Sequence, residues 1–263
     1  MSIAIVGGGA MGEAVVAGLV RTGSDAIVIE KRAERAAELT ERYGVSTSGE
    51  LGAIGDADTV LVVVKPQDAD AVTREIAAHL APGAVVVSLA AGISAGFLEA
   101  RLPGGAAVVR VMPNTPALVG EGMAAVSRGA ATDDEQLARA VAVLQACGRV
   151  VEVPESQQDA VTAVSGSGPA YVFHLAEALI EAGVVQGLPR ATARELAVQT
   201  LLGAATMLRE TGEHPSLLRE RVTSPGGTTA AALRVLDERA VRGAYVAAVA
   251  AARERSAELG TSS

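Results

Sequence analysis

The feature that most constrains the fold is a glycine loop between an apolar strand and a helix at the N-terminus. Ser2–Val6 is a short apolar run, and a helical pattern continues from the loop to about Val20. The loop matches the pattern G-x-G-x-x-G and consists of Gly7, Gly8, Gly9, Ala10, Met11 and Gly12. In this setting glycines allow a tight turn and let the backbone approach a pyrophosphate. The sequence therefore predicts a dinucleotide site, against the alternative of a glycine-rich turn without a ligand.

Alternating strand and helix patterns continue to about residue 154. Further strands are predicted at 26–29, 59–64, 84–89, 107–112, 124–127 and 149–153, and helices at 33–43, 67–80, 94–101 and 134–146. Beyond Pro154 only helices are predicted, at 156–164, 169–185, 189–210, 216–222, 228–237 and 241–259. We therefore expect an α/β domain with a doubly wound parallel sheet of Rossmann type at residues 1–154 and an all-α domain at residues 155–263.

Residues at the carboxyl ends of three successive strands identify a candidate ligand edge of the sheet. In open α/β sheets this edge faces the ligand crevice. The candidates are Val64, Lys65, Pro66 and Gln67 after one strand, Ala90, Ala91 and Gly92 after the next, and Asn114 after the third. Each segment alone is also compatible with an ordinary strand-ending turn. Their occurrence on one edge favours a cofactor cleft.

The end of the second strand carries two conflicting signals for the cofactor. Glu30 stands where an acid could hold a ribose 2′-hydroxyl, which favours NAD. Lys31 and Arg32 follow at once and could hold a 2′-phosphate, which favours NADP. A solvated helix entry is the alternative interpretation of all three residues.

A second anion site is predicted near the C-terminal end of the chain. The segment Val222–Leu233 reads as a glycine turn that opens directly into a helix. Unpaired backbone N–H groups and the helix dipole at such a terminus attract a carboxylate or phosphate. A loop-to-helix junction without a ligand is the competing interpretation. Two anion sites, one for a cofactor and one for a small acid, favour an enzyme that brings the two together.

Composition excludes several other classes of protein. The net charge is −8, and no basic run supplies the clustered cations that nucleic-acid binding needs. Cys147 is the only cysteine, and the three histidines are widely spaced, so no metal site is expected. No uncharged apolar run is long enough to span a membrane, and the N-terminus lacks the pattern of a signal peptide. We therefore expect a cytoplasmic protein.

Taken together, these motifs resemble those of the pyrroline-5-carboxylate reductase family over essentially the whole chain. The resemblance rests on the glycine loop, the three strand ends, the turn at 165–171 and above all the segment Ser-Pro-Gly-Gly-Thr-Thr at 224–229. It implies reduction of the ring C=N bond of 1-pyrroline-5-carboxylate to give L-proline, the final step of proline biosynthesis. It also implies a helical domain that forms a homodimer, with dimers joined into a decamer.

The resemblance assigns roles to individual residues. The loop Gly7–Gly12 would hold the pyrophosphate, the segments 65–67 and 90–92 would line the path from adenosine to nicotinamide, and Glu155 would approach the cofactor. The residues that would hold the substrate are Ser224, Gly226, Gly227, Thr228 and Thr229. Thr229 would donate a hydrogen bond to the ring nitrogen and is the candidate catalytic residue. Glu30 departs from the small polar residue of many NADP-preferring members, but Lys31 favours NADPH, with NADH as the alternative.

The sequence disfavours two rival functions. A β-hydroxyacid dehydrogenase would need a lysine on the helical domain as its acid–base group, and no lysine occurs after Lys65. A non-catalytic dinucleotide-binding scaffold would not need a carboxylate site. His174, on the helix after the turn at 165–171, is an acid–base candidate whose alternative is a packed or surface histidine.

Overall fold

The computed structural model describes residues 1–261. The chain forms two compact units: Met1–Ser167 together with the C-terminal residues from Ala252 onward, and Gly168–Ala251. The boundary at residue 154 that the sequence pattern suggests stays a prediction. Within the described residues, no helix is both long enough and apolar enough to cross a bilayer.

The first unit is built on an eight-stranded sheet with the order β3-β2-β1-β4-β5-β6-β7-β8. The strands are β1 (Ile3–Val6), β2 (Ala26–Ile29), β3 (Ser46–Ser48), β4 (Thr59–Val62), β5 (Val85–Ser88), β6 (Ala107–Met112), β7 (Gly122–Arg128) and β8 (Gly148–Glu152). The six strands from β3 to β6 are parallel, which confirms the predicted Rossmann-type sheet. β7 pairs antiparallel with β6 and parallel with β8, so the last two strands correct the expectation of an all-parallel sheet.

Helices cover both faces of this sheet. They are α1 (Ala10–Arg21), α2 (Ala33–Tyr43), α3 (Ala69–Ala77), α4 (Ala95–Glu99), α5 (Asp134–Gln145) and α6 (Gln158–Val161). Side chains alternate along a strand, so Ile3 and Ile5 pack on the face of α1, α2 and α5, while Ala4 and Val6 pack on the face of α3 and α4. This double layer explains the continuous apolar runs of the central strands.

The predicted helix at 156–164 is interrupted. The chain forms a 3₁₀ turn at Glu155–Gln157, then α6, and then a π-helical turn at Thr162–Gly166. In that turn the Ser167 N–H donates to the Thr162 carbonyl oxygen at 2.8 Å. Gly166 also lets this turn pack closely on Met112, since a Cβ atom there would lie 2.4 Å from the Met112 methyl carbon. The prediction of one regular helix at this position was wrong.

The second unit is entirely helical over its described length. It contains α7 (Gly168–Val185), α8 (Arg190–Thr211), α9 (Pro215–Arg221), α10 (Thr228–Glu238) and the larger part of α11 (Val241–Thr261). α7 packs against α8, where Gly183 lets the Ala193 methyl group approach closely. Ala193 and Ala197 are the buried apolar residues of this unit, whereas many of its larger apolar side chains are exposed.

Candidate active site

Two positions of the glycine loop require glycine, Gly7 and Gly12. Gly7 has φ +110°, and a Cβ atom there would lie 2.3 Å from the Val63 carbonyl oxygen. A Cβ atom at Gly12 would lie 2.0 Å from the Gly7 carbonyl oxygen. Gly9 caps the start of α1 and has open space beside it. The loop therefore turns tightly and leaves its helix-opening end free for an anion.

A cleft of about 620 Å³ opens beside this loop within the first unit. Its lining joins the loop to the ends of β2 and β4 and the start of α3: Val6, Gly7, Gly9, Ile29, Glu30, Lys31, Arg32, Leu51, Val63, Val64, Lys65, Gln67, Asp68, Ala71 and Val72. The cleft thus brings together the glycine loop, the charged trio at 30–32 and the segment after β4. Of the three strand-end segments that the sequence singles out, the one after β4 contributes to this lining, and a shared cofactor cleft for all three stays a prediction.

Glu30 is 8% exposed, and its carboxylate is hydrogen-bonded to the glycine loop. Its carboxylate accepts the Gly8 N–H at 3.0 Å and the Arg32 N–H at 3.0 Å, and it pairs with the Arg32 guanidinium at 3.0 Å. Burial alone would raise the pKa of Glu30, but the hydrogen bonds from Arg32 and Gly8 together hold it below its usual value. Glu30 is therefore ionised and locally neutralised.

The other predicted segments lie at neighbouring strand ends. β4 ends at Val62 and Pro66 begins a 3₁₀ turn after residues 63–65, and the Lys65 side chain is exposed. Ala90, Ala91 and Gly92 follow β5, and Gly92 adopts φ +77°. The C-terminal end of α11 passes close to this turn, since a Cβ atom on Gly92 would lie 3.6 Å from the Gly260 Cα. This distance is an ordinary van der Waals contact, so it is the positive φ that favours glycine at position 92.

Asn114 and Glu155 have partners inside the first unit. The Asn114 side chain accepts the Met123 N–H at 2.8 Å and donates to the Ser165 carbonyl oxygen at 3.2 Å. Glu155 accepts the Ala95 N–H at 2.8 Å and pairs with Arg110 at 3.1 Å. These contacts brace the turn after β6 and the start of α4. A direct contact of either side chain with a cofactor stays a prediction.

The predicted substrate segment forms a tight turn in the second unit. The Gly227 N–H donates to the Ser224 carbonyl oxygen at 3.0 Å, with Pro225 and Gly226 between them and Gly226 at φ +71°. Proline followed by a glycine of positive φ is the pattern of a type II turn. A Cβ atom at Gly227 would lie 2.4 Å from the Ser224 hydroxyl oxygen, so this hydroxyl lies directly against the turn.

The helix that follows begins without a side-chain cap. Gly227 is the N-cap of α10, and a glycine has no side chain that could accept a hydrogen bond from the first turn. Thr228 is exposed and Thr229 is half-buried in the first turn. The N–H groups of a helix start need partners, so this terminus is suited to a carboxylate. Turn and helix bring Ser224, Gly226, Gly227, Thr228 and Thr229 together.

His174 and Cys147 lie outside these sites. His174 is exposed on α7. Cys147 is buried, and burial raises the pKa of its thiol, which disfavours the reactive thiolate.

Sequence reasoning missed one residue at the glycine loop. Arg35 on α2 donates from Nε to the Gly8 carbonyl oxygen at 2.7 Å. The charged, helical pattern of 33–43 predicts a solvated helix face and gives no reason to single out one of its arginines. Only the packing of α2 on the loop reveals the contact.

Comparison with known proteins matches both halves of the chain. Residues 155–259 match the family model "Pyrroline-5-carboxylate reductase dimerisation", and residues 2–92 match "NADP oxidoreductase coenzyme F420-dependent". A pyrroline-5-carboxylate reductase of Corynebacterium melassecola is 49% identical over 98% of each chain. The structure of such a reductase from Coxiella burnetii superposes with a TM-score of 0.93 at 37% identity, covering 98% of this chain and 97% of that one. The Plasmodium falciparum pyrroline carboxylate reductase, solved with NADP bound, gives a TM-score of 0.86 at 28% identity, covering 99% and 98%.

Proposed function

Because the chain belongs to the pyrroline-5-carboxylate reductase family, we propose that it is an oxidoreductase that reduces 1-pyrroline-5-carboxylate to L-proline, the final step of proline biosynthesis. The observation that carries the proposal is the type II turn at Ser224–Gly227 running into the uncapped start of α10. It offers backbone N–H groups and hydroxyls to a small acid. The rest of the chemistry needs only a hydride donor and a proton for the ring nitrogen.

The glycine loop fits a dinucleotide on stereochemical grounds. Cβ atoms at Gly7 and Gly12 would collide with backbone oxygens, so the loop keeps the close-turning form that admits a pyrophosphate at a helix start. We assign the pyrophosphate to Gly7, Gly8, Gly9, Ala10, Met11 and Gly12. Val64, Lys65, Pro66 and Gln67 are assigned to the adenosine side, and Ala90, Ala91, Gly92, Asn114 and Glu155 to the nicotinamide side. A reduced nicotinamide supplies a hydride when it is bound.

In the second unit, the turn would hold the substrate by its carboxylate. We assign the carboxylate to the N–H groups around Gly226, Gly227 and Thr228 and to the Ser224 hydroxyl. Thr229, one residue further into α10, is assigned to the ring nitrogen, where its hydroxyl donates a hydrogen bond. That bond makes the C=N carbon more electrophilic and orients the nitrogen to take up a proton as the carbon accepts hydride. Positioning of this kind can supply much of the rate.

We further propose that NADPH is preferred over NADH. Lys31 and Arg32 both line the cleft beside the glycine loop. Arg32 neutralises Glu30, which would otherwise repel a 2′-phosphate, and Lys31 has no carboxylate partner among the described residues. The net charge of Glu30, Lys31 and Arg32 is therefore +1. NADH remains the alternative, because Glu30 could accept a ribose 2′-hydroxyl once it is released from Arg32.

We propose that a second copy of the chain buries the exposed apolar side chains of the helical unit. Val172, Phe173, Leu196, Leu202 and Val246 are each at least half exposed in the single chain. Apolar patches of this kind mark association surfaces, and closed two-fold dimers are the commonest oligomers. We propose a homodimer, with further assembly of dimers into a decamer following the family resemblance. A cytoplasmic location and the lack of nucleic-acid or membrane partners are proposed from composition alone.

Steady-state oxidation of NADPH and NADH in the presence of 1-pyrroline-5-carboxylate tests the proposed reaction. We expect turnover that depends on the imine, with L-proline formed in equal amount, and a higher kcat/KM with NADPH. A β-hydroxy acid with NADP⁺ is the control for the rival dehydrogenase activity. Turnover of the hydroxy acid without turnover of the imine would contradict the proposal.

A further inference from the structure

We propose that Arg35 is a positioning residue that holds the glycine loop in the form that binds the dinucleotide pyrophosphate. The inference rests on the proposed dinucleotide site and adds a residue outside the loop, on the second helix of the unit. It starts from one contact, the donation from Arg35 Nε to the Gly8 carbonyl oxygen at 2.7 Å.

The Arg35 side chain is itself held in place. It is only 20% exposed, and its terminal nitrogens pair with Glu13 on α1 and with Glu38 on α2, the latter at 2.9 Å. Two carboxylates therefore balance its charge. Arg35 can act on a bound nucleotide through the loop geometry, whereas its long-range attraction for phosphate is largely cancelled.

Gly8 is fixed on both sides by charged groups. Its N–H donates to Glu30 at 3.0 Å, and its carbonyl accepts from Arg35. It is also buried under α2, since a Cβ atom there would lie 2.7 Å from a Leu39 methyl carbon. Hydrogen bonds with an ionised partner are the stronger kind, so these two contacts define the loop conformation more firmly than neutral bonds would.

Peptide planarity passes this constraint to the residue that faces the cleft. The Gly8 carbonyl and the Gly9 N–H belong to one peptide unit and point in opposite directions when that unit is trans. No cis peptide bond occurs in the described part of the chain. Gly9 lines the cleft and caps α1, so by holding the Gly8 carbonyl on the α2 side, Arg35 directs the Gly9 N–H away from α2.

Arg42 provides a matched control on the same helix. It pairs with the same carboxylate, Glu13, at 2.8 Å, and Tyr43 also donates to Glu13 at 2.9 Å. Among the contacts of the described residues, Arg42 makes none with the glycine loop. Removing Arg42 therefore perturbs the Glu13 cluster and the α1–α2 packing without releasing Gly8.

The test compares Arg35→Met with Arg42→Met by titration calorimetry, using NADP⁺ and adenosine 2′-monophosphate as ligands. The second ligand keeps the adenosine and the 2′-phosphate but has no pyrophosphate. Losing the charged hydrogen bond to the loop should raise the Kd of Arg35→Met for NADP⁺ by about tenfold, within the range for such bonds. Its Kd for the monophosphate should stay within about twofold, and Arg42→Met should bind both ligands within about twofold of wild type, as expected for a change outside the loop.

Each outcome decides the matter. An equal loss of affinity for both ligands, an equal effect of Arg42→Met, or wild-type binding of NADP⁺ by Arg35→Met would overturn the positioning role. Thermal unfolding reports whether each variant folds. If Arg35→Met does not fold, Arg35→Lys, which keeps the charge and loses the Nε donor, is titrated instead with the same expected separation of ligands. A wild-type protein that binds NADP⁺ but does not reduce the imine would refute the proposed reaction and leave the role of Arg35 intact.

Discussion

Thr229→Ala separates a catalytic hydroxyl from a structural one. Thr229 stands two residues after the N-cap Gly227, so its side chain is not the cap of α10. Loss of a true capping hydroxyl costs about 1 kcal/mol. Here that cost is absent, and alanine has the better intrinsic helix propensity by a few tenths of a kcal/mol. In a chain of this size, a change of about 1 kcal/mol shifts Tm by roughly 2–4 °C, so we expect a smaller shift than that.

The same variant should lose catalysis. If the Thr229 hydroxyl donates to the ring nitrogen as hydride arrives, kcat/KM for the imine should fall by about 10²-fold or more, the range of general acid catalysis. Steady-state kinetics with saturating NADPH measures this, and the Kd for NADPH should not change. Thr229→Ser keeps the hydroxyl and should recover most of the rate. Ser224→Ala should instead act mainly on the KM for the imine, because that hydroxyl is assigned to carboxylate binding.

Near-normal turnover of Thr229→Ala combined with a Tm several degrees lower would refute this reasoning. The proton would then come from water, or from a substrate that binds already protonated.

Three further predictions concern the cofactor, pH and assembly. Replacing both Lys31 and Arg32 with alanine should raise the KM for NADPH far more than that for NADH, because both side chains line the cleft and are proposed to hold the 2′-phosphate; equal effects in steady-state kinetics would argue against that contact. The Arg35 hydrogen bond, followed by contacts with Tyr43 and Arg42, holds the pKa of Glu13 below its usual value despite burial. The stability that Glu13 contributes is therefore fully present above its ordinary pKa near 4.5 and is lost as the pH falls through its lower folded value. Urea unfolding should accordingly show a loss of stability for Glu13→Gln at pH 7 that shrinks below about pH 4, and a loss that does not change with pH would show that the carboxylate charge is not involved. Light scattering at micromolar concentration should show a dimer or a larger assembly. A stable, active monomer would contradict the proposed homodimer.

Much of the fold could be predicted because the periodicity of apolar and charged residues, together with glycine stops, indicates the helices and strands. The range predicted for α2 agrees with the structure, since the helix has a stop at Gly44 in the left-handed conformation. β3 was missed because Ser46–Ser48 is short and polar and lies at the edge of the sheet, where no apolar run is required. The direction of β7 was also missed, because the residue pattern of a strand does not show whether it runs parallel or antiparallel to its neighbour.

The local backbone geometry of the candidate site was predictable where glycines constrain it, and the contacts between side chains of different elements were not. The loop at Gly7–Gly12 and the turn at Ser224–Gly227 follow from local residue types. The buried pairing of Glu30 with Arg32 and Gly8 does not, since the sequence presents a conflict of charges rather than a neutralised pair. Contacts between residues far apart in the chain, such as Arg35 with Gly8, depend on packing that no local pattern encodes.

Transfer of isotope from cofactor to product tests the central claim most directly. The wild-type protein is supplied with 1-pyrroline-5-carboxylate and with NADPH that carries deuterium at both C4 positions of its nicotinamide ring, and the proline formed is analysed by mass spectrometry and NMR. Hydride transfer to the ring C=N bond predicts L-proline with one deuterium, located at its δ carbon. Proline without deuterium, or no proline at all with either NADPH or NADH, would contradict the account.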